Sequence, residues 1–141
     1  MSVAILVGAG HVGKRHALKL TKIFDDLIII DPNEEALDWC ASNLNSKTQT
    51  YTDIEKFIEE NIYDLSESVC VLANWGVDHS DSFHKLAKAK VKKFYIEKPF
   101  ADSIKKIDEI NNFAKKNKIN IVSGFQLRHS GLPEKIKNIS L

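Results

Sequence analysis

The 141-residue sequence has no long apolar run, and its formal net charge is only +1. A helix that spans a bilayer needs about 20 consecutive apolar residues, so the sequence predicts no membrane-spanning segment. No basic segment precedes the first apolar run, so we expect no signal peptide and a cytoplasmic location. The near-neutral charge offers no overall field that would attract nucleic acid or an anionic membrane, and we expect neither as a partner.

Cysteine is scarce, with Cys40 and Cys70 the only two in the chain. They lie far apart, and each sits in an apolar segment, which is typical of reduced cysteines that pack in a core. A metal centre needs several ligands at short spacing, and the sequence contains no such cluster, so we expect no metal. With 43% hydrophobic and 28% charged residues, the chain has the composition of one globular domain.

What the sequence does contain is a pattern of three glycines directly after its first apolar run. Val3 to Val7 predicts a strand buried in a parallel sheet, and the glycines that follow form G-x-G-x-x-G before a helix, a context typical of dinucleotide binding. The first glycine permits a tight turn, the second lets the backbone approach a pyrophosphate, and the third lets the helix pack closely on its strand. Free N–H groups at the start of the helix favour an anion without any basic side chain. The predicted pyrophosphate site comprises Gly8, Ala9, Gly10, His11, Val12 and Gly13.

An acidic residue at the end of the second predicted strand strengthens this interpretation. The apolar run Leu27 to Ile30 ends in Asp31, close to the spacing of about 20 residues at which an acid accepts hydrogen bonds from the adenosine ribose. An acid here also repels a 2′-phosphate, which favours NAD over NADP. Two alternatives stay open, since the glycines can serve packing alone and Asp31-Pro32-Asn33 can be only a turn and a helix cap.

Strand and helix patterns alternate along the rest of the chain. Further strands are predicted at 48–51, 68–73, 94–96 and 119–125, and helices at 12–24, 32–44, 53–58, 77–90 and 103–113. Pro32 fits the first turn of its helix, Asp53 is expected to cap the next one, and Ser103 or Asp102 to cap the last. The alternation predicts an α/β fold, a Rossmann-type doubly wound parallel sheet of about six strands in the order 3-2-1-4-5-6, with helices on both faces.

The fourth predicted strand ends at Ala73, and Asn74 and Trp75 follow it. In a doubly wound sheet, ligands bind outside the carboxyl ends of the strands where the strand order reverses, so we expect Ala73 and Asn74 to contact a ribose. Trp75 has two open roles, since it can cover the nicotinamide end of a cofactor or simply pack. The lysines between Lys85 and Lys93 have no interleaved aromatic residues, so they predict a solvated helix face and loop.

The fifth predicted strand ends at the sequence Glu97-Lys98-Pro99. A lysine in the crevice can hydrogen-bond a substrate hydroxyl and the ribose together, and it can help to remove the hydroxyl proton as hydride leaves the carbon. Glu97 can orient the lysine. The alternative is that Lys98 is an ordinary surface residue in a turn.

Together these motifs resemble the Gfo/Idh/MocA family of glucose-fructose oxidoreductase, inositol dehydrogenase and rhizopine catabolism proteins. The resemblance rests on GAGHVGKRH at 8–16, Asp31, His79, EKP at 97–99 and GFQLRHSGLP at 124–133. It implies an NAD(P)-dependent dehydrogenase that acts on a secondary hydroxyl of a sugar, cyclitol or sugar nucleotide. It also implies that Lys98 lies beside nicotinamide and substrate, and that Glu97 and His79 belong to the cofactor site.

The sequence departs from that family in two ways. Asn74-Trp75-Gly76 replaces the Thr-Pro that usually precedes the histidine, and we expect this chain to lack the second domain, which in that family carries further catalytic residues. We therefore expect residues 1–125 to form the nucleotide-binding domain and 126–141 to begin a helix toward a substrate domain. On its own this chain should bind cofactor without turnover. The alternative is a non-catalytic NAD-binding module, and a homo-oligomer is compatible with either. The sequence identifies no partner for the histidines His16, His79, His84 and His129.

Overall fold

The computed structural model describes residues 2–44 and 47–125. Its strands are β1 (Val3–Val7), β2 (Asp26–Ile30), β3 (Thr48–Tyr51), β4 (Val69–Leu72), β5 (Lys93–Ile96) and β6 (Asn120–Ser123). Its α-helices are α1 (His11–Leu20), α2 (Glu34–Asn43), α3 (Ile54–Glu60), α4 (His79–Lys88) and α5 (Ile104–Asn117), and short 3-10 turns cover Leu65–Glu67 and Gly76–Asp78. The predicted linking helix at 126–141, His129 and most of the motif at 124–133 lie outside the described residues.

The strands form one six-stranded sheet in the order β3-β2-β1-β4-β5-β6, and every neighbouring pair is parallel. The predicted Rossmann-type doubly wound fold is confirmed. β1 is buried along its whole length and β2 along all but its first residue. Near-continuous apolar runs are stable there because both faces of the sheet are covered. β3 forms an edge, and its polar residues Gln49 and Thr50 are exposed.

Helices cover the two faces of the sheet through two separate clusters. On one face, the residues of α1, α2, β1 and β2 that meet are Ala4, Leu6, Ala17, Leu20, Leu27, Ile29, Leu37 and Cys40. On the other face, α3, α4 and α5 contribute to a larger cluster that includes Ile5, Ile28, Phe57, Cys70, Leu72, Phe83, Leu86, Phe94, Ile96 and Ile110. Both cysteines are free and buried, as predicted, and burial raises the pKa of each thiol.

The helix boundaries differ from the predictions where capping groups compete. α2 begins at Glu34 rather than in the turn of Pro32, because the Asn33 side chain accepts hydrogen bonds from the N–H groups of Glu35 and Ala36. α1 ends at Leu20 and not near Phe24, since the chain then tightens into shorter-range backbone hydrogen bonds.

Two other caps settle questions that the sequence raised. Asp53 caps α3 as predicted, with its carboxylate accepting from the N–H of Lys56 at 2.7 Å. Ser103, and not Asp102, caps α5.

In residues 2–44 and 47–125, no helix is long and apolar enough to cross a membrane. Nor do those residues bring together three or more side chains that could hold a metal ion.

Candidate functional site

Gly8 closes the turn at the end of β1 and is packed on three sides. Its N–H donates to the carbonyl of Ile30 at 2.8 Å. Its φ of +95° lies in the left-handed region, and a Cβ added here would lie 2.5 Å from the nitrogen of Asn74 and 2.6 Å from the carbonyl carbon of Ala73. Only glycine fits both restraints, so the tight turn predicted for this position is what the structure contains.

The other two glycines of the pattern have opposite surroundings. A Cβ on Gly13 would overlap the carbonyl oxygen of Gly8, so α1 packs directly on the turn. A Cβ on Gly10 would have no atom within 4 Å. Packing therefore explains Gly13 but not Gly10, whose missing side chain leaves open space above the start of α1.

The start of α1 leaves its backbone N–H groups available. Gly10 is the cap residue, and in the described part of the chain no side chain hydrogen-bonds to the first turn. The first turn also carries no acidic residue, and His11 and Val12 are exposed. Unsatisfied N–H groups and the positive end of the helix dipole favour an anion at this point.

Asp31 at the end of β2 holds the glycine turn as well as facing it. Its Oδ2 accepts from the N–H of Ala9 at 2.6 Å, and its Oδ1 accepts from the N–H of Asn33 at 2.8 Å. A carboxylate offers about four acceptor positions, so two remain for a ligand. The turn and the helix cap of the alternative interpretation are both present, since Asp31 forms the turn and Asn33 is the cap. A ribose contact of Asp31 stays a prediction.

A cleft of about 710 Å³ opens at the carboxyl ends of β1, β2 and β4. Eight of the predicted site residues line it, namely Gly8, Gly10, His11, Val12, Asp31, Ala73, Asn74 and Trp75. Ala9, Gly13, His79, Glu97 and Lys98 do not. The sequence analysis missed Thr52, Asp53, Ile54, Glu55, Asp78, Asp81, Ser82 and Lys85, which also line it. All but Lys85, which lies in the last turn of α4, lie at or near the starts of the helices that follow β3 and β4, a position from which they were predictable.

The outer wall of the cleft is closed by charged side chains. The Nζ of Lys85 on α4 lies 2.6 Å from a carboxylate oxygen of Glu55 on α3 and 2.6 Å from one of Asp81. Hydrogen bonds to Asp81 and then to Glu55 raise the pKa of Lys85. Lys85 and Lys93 keep the solvent exposure that the sequence predicts, with side chains 37% and 43% exposed. Lys93 is also paired, with a carboxylate oxygen 2.8 Å away.

The residues that follow β4 differ in their exposure. Ala73 donates its N–H to the carbonyl of Val7 at 2.8 Å, and the side-chain amide of Asn74 donates to Ser82 at 3.0 Å. Trp75 is 79% exposed, so the described residues do not bury it, and its alternative role in packing stays open. Its role as a cover for a bound ring stays a prediction.

His79 occupies the core and not the cleft surface. It is 0% exposed, with its Nε2 3.0 Å from the carbonyl oxygen of Asn74 and its Nδ1 3.3 Å from that of Phe100. The ring therefore ties the loop after β4 to the loop after β5, which is a structural role rather than direct contact with a ligand in the cleft.

The loop after β5 carries one buried and one exposed charge. Glu97 is 5% exposed, and its Oε1 lies 2.8 Å from the Nε2 of His16 on α1. Lys98 is exposed, as both the catalytic and the surface-turn interpretations allow. Pro99 packs on Gly76, where a Cβ would lie 2.5 Å from the proline Cγ. The loop after β4 (74–76) and the loop after β5 (97–100) thus form a joint, and the exposed Lys98 lies in it.

Residues 2–125 match the Gfo/Idh/MocA model, which describes an oxidoreductase family with an NAD-binding Rossmann fold. No curated protein sequence matches the chain significantly.

Solved structures share the fold. The myo-inositol 2-dehydrogenase of Lactobacillus plantarum superposes with a TM-score of 0.79 at 22% identity, over 97% of this chain and 40% of that one. For the UDP-N-acetylglucosamine 3-dehydrogenase GnnA of Acidithiobacillus ferrooxidans the TM-score is 0.77 at 18% identity, over 100% and 44%. For the WlbA dehydrogenase of Chromobacterium violaceum, in complex with NADH and UDP-GlcNAcA, it is 0.81 at 19%, over 96% and 38%. These identities show the fold alone, and this chain spans about two fifths of each relative.

Proposed function

The chain belongs to the Gfo/Idh/MocA oxidoreductase family and carries its NAD-binding Rossmann fold, and from this premise we propose that it is the cofactor-binding part of a dehydrogenase. The reaction would transfer hydride between a nicotinamide cofactor and a secondary hydroxyl of a sugar, cyclitol or sugar nucleotide. The names of the structural relatives, an inositol dehydrogenase and dehydrogenases of UDP-sugars, support that substrate class. The observation that carries the proposal is the open space above Gly10 at the uncapped start of α1.

The residues of the cleft fit a dinucleotide in size and in polarity. A volume of about 710 Å³ falls within the range of about 300–1,000 Å³ that is usual for ligand sites. The pyrophosphate would lie above Gly10 against the N–H groups of α1, and Asp31 would accept hydrogen bonds from the adenosine ribose with its remaining acceptor positions. When bound, the nicotinamide would accept or release the hydride. The exposed ring of Trp75 would cover the nicotinamide end.

The charges around the cleft favour NAD over NADP. Five carboxylates line it, those of Asp31, Asp53, Glu55, Asp78 and Asp81. Lys85, which also lines it, is already paired with two of them. A phosphate monoester carries between one and two negative charges at neutral pH, so a 2′-phosphate would be repelled without a free cation to compensate it.

Lys98 is the residue we propose for the chemistry. Its backbone is held by the contacts of the neighbouring loops, while its side chain is exposed. The amine would therefore be able to reach a substrate hydroxyl next to the cofactor. In its neutral form it would accept the hydroxyl proton as hydride leaves, a role usually worth about 100- to 10,000-fold in rate. Glu97 and His79 would hold the backbone next to Lys98 in place, without contacting the cofactor themselves.

Residues 1–125 form the nucleotide-binding domain in this proposal, and residues 126–141 lead toward a substrate domain. The solved relatives are more than twice as long as this chain, and the described residues offer only one wall for a substrate beside Lys98. Because close positioning supplies a large part of the barrier reduction, we expect the 141-residue chain to bind NAD without turning over a sugar.

A non-catalytic NAD-binding module is the second candidate. Lys98 is exposed and lies outside the main cleft. This position favours the module, since a protein that only senses NAD needs no proton-transfer group in the cleft.

Calorimetric titration with NAD⁺ and NADP⁺ tests the shared part of the two candidates, and tighter binding of NAD⁺ is expected. Absence of dinucleotide binding contradicts both. Adding inositols or UDP-sugars with NAD⁺ to a longer protein that contains this chain and a second domain then separates them. NADH absorbance that grows with time supports the dehydrogenase, and its absence with every such substrate supports the module.

A further inference from the structure

His16 and Glu97 form a hydrogen-bonded pair that joins two distant parts of the chain. The two residues are 81 positions apart, and their Nε2 and Oε1 atoms lie 2.8 Å from each other. Their side chains are only 22% and 7% exposed. His16 lies on α1, the helix that begins at the glycine turn, while Glu97 follows β5 and directly precedes Lys98.

The carboxylate of Glu97 is enclosed on its other sides. A Cβ on Gly124 would lie 2.9 Å from its Oε2, and the N–H of Lys98 points to the same oxygen at 3.3 Å. Burial, then the charge of Glu97 and a side-chain hydrogen bond to it, raise the pKa of the neighbouring Tyr95. A carboxylate withdrawn from water in this way needs hydrogen-bond donors to hold it, and His16 provides one from a side chain.

The ring of His16 is itself held in place. Its centroid lies 5.5 Å from that of Tyr95 with the planes at 63°, an edge-to-face contact. The donor nitrogen therefore approaches Glu97 from a fixed direction, on the face of the sheet that α1 covers.

We infer that His16 is a positioning residue for Lys98. It fixes the Glu97 carboxylate, and thereby the backbone from which Lys98 leaves the sheet. The same helix presents its N–H groups above Gly10, so one hydrogen bond links the dinucleotide site to the proposed catalytic lysine. This inference rests on the proposed function, since it needs NAD to bind at the glycine turn.

Backbone amide resonances in the 141-residue chain test the inference. In the wild-type chain, addition of NAD⁺ should shift the amide resonance of Lys98, which lies outside the main cleft. In His16→Leu that shift should be largely lost, while NAD affinity changes by no more than about fivefold, the lower end of a coupling between sites. His16→Gln, whose side-chain amide can still donate to Glu97, should restore the shift.

His84→Leu is a matched control. His84 is also a half-buried histidine on a helix, and it bonds to the carbonyl of Ser80 at 2.7 Å, away from Glu97. The Lys98 shift should survive that change. A full Lys98 shift in His16→Leu overturns the inference, and so does an equal loss in His84→Leu, because general loosening would then explain both.

Two further arms separate this inference from its premise. If His16→Leu does not fold, His16→Asn replaces it, since the shorter amide falls short of Glu97. Loss of the Lys98 shift supports the inference and retention overturns it. If the wild-type chain binds no NAD⁺, the proposed function fails first. If the wild-type chain binds NAD⁺ but the amide resonance of Lys98 does not shift, the proposed function stands and the inference alone is overturned.

Discussion

The two halves of the site are built in opposite ways. On the β1 and β2 side lies an open, acidic cleft of about 710 Å³, in which Gly10 faces empty space and Asp31 is half-buried. On the β5 side, contacts between neighbouring loops hold the chain on both sides of the exposed Lys98. The first half is suited to holding a large polar ligand, and the second to fixing the backbone that carries one exposed lysine.

The joint on the β5 side depends on four contacts, three of which link residues more than 20 positions apart. His79 contacts the carbonyls of Asn74 and Phe100, His16 contacts Glu97, and Gly76 leaves room for Pro99. A cleft tolerates small displacements of its walls, whereas proton transfer depends on the position of one atom. We therefore expect changes in the cleft to alter affinity, and changes at the joint to alter rate.

The largest expected effect is in the cleft, at Gly10. Gly10→Asp would place a carboxylate in the open space above α1, where the proposed pyrophosphate carries the same sign of charge, so NAD binding should be lost. The fold should persist, because a Cβ at this position has no atom within 4 Å. Circular dichroism and calorimetric titration measure the two properties. Gly10→Ala is the control, and unchanged NAD affinity in a folded Gly10→Asp chain would mean that the glycines serve packing only.

The next effect distinguishes two glycines of the same motif. In Gly13→Ala the new methyl group overlaps the carbonyl of Gly8, so α1 must shift, and we expect a loss of about 1–3 kcal/mol in the free energy of unfolding. The same substitution at Gly10 should change the free energy of unfolding by less than about 1 kcal/mol, because alanine lowers the entropy of the unfolded chain but is a poorer helix cap than glycine. Urea unfolding of both variants measures the difference. Equal losses would contradict the assignment of one glycine to packing and the other to the ligand.

On the β5 side the expected change is in rate. In a longer protein that joins this chain to a substrate domain, Lys98→Ala should lower kcat by about a hundredfold, the lower range for a positioned proton-transfer group. The dissociation constant for NAD should change little, because Lys98 does not line the main cleft. Lys105→Ala, at a lysine that is also exposed, is the control. A Lys98→Ala enzyme with full activity would remove the chemical role proposed for this half.

The same contrast decides how much the sequence could predict. Apolar periodicity and glycine spacing are local signals, so they predicted the strands, their order and the roles of Gly8 and Gly13. Asn33 and Pro32 compete for one helix start, and the hydrogen bonds of the Asn33 side chain decide it. The pairing of His16 with Glu97 arises from the crossing of elements 81 residues apart, and no local pattern encodes it.

A smaller effect is expected at Asp31, which belongs to both the turn and the cleft. Losing a hydrogen bond to a charged group costs about 1.5–3 kcal/mol, so Asp31→Ala should weaken NAD by about tenfold or more, at 1.4 kcal/mol per decade. NADP should lose less or gain. Because Asp31 also accepts from the N–H groups of Ala9 and Asn33, stability should fall as well. Asp31→Asn keeps one acceptor oxygen and serves as the control, and a wild-type chain that prefers NADP in the calorimeter would contradict the assignment.

The smallest effect is expected at the outer wall of the cleft. Lys85 is more than a third exposed and pairs with Glu55 and Asp81, and an exposed ion pair is worth about 1 kcal/mol or less. Lys85→Met should therefore lower stability only slightly, and less at high salt, because ions screen the attraction. It should also raise the preference for NAD over NADP, since it removes a cation and leaves two carboxylates uncompensated beside the cleft. Urea unfolding at two salt concentrations and titration with both cofactors measure these changes. Improved NADP binding in Lys85→Met would show that the acidic wall does not govern cofactor choice, and would leave Asp31 as the residue that does.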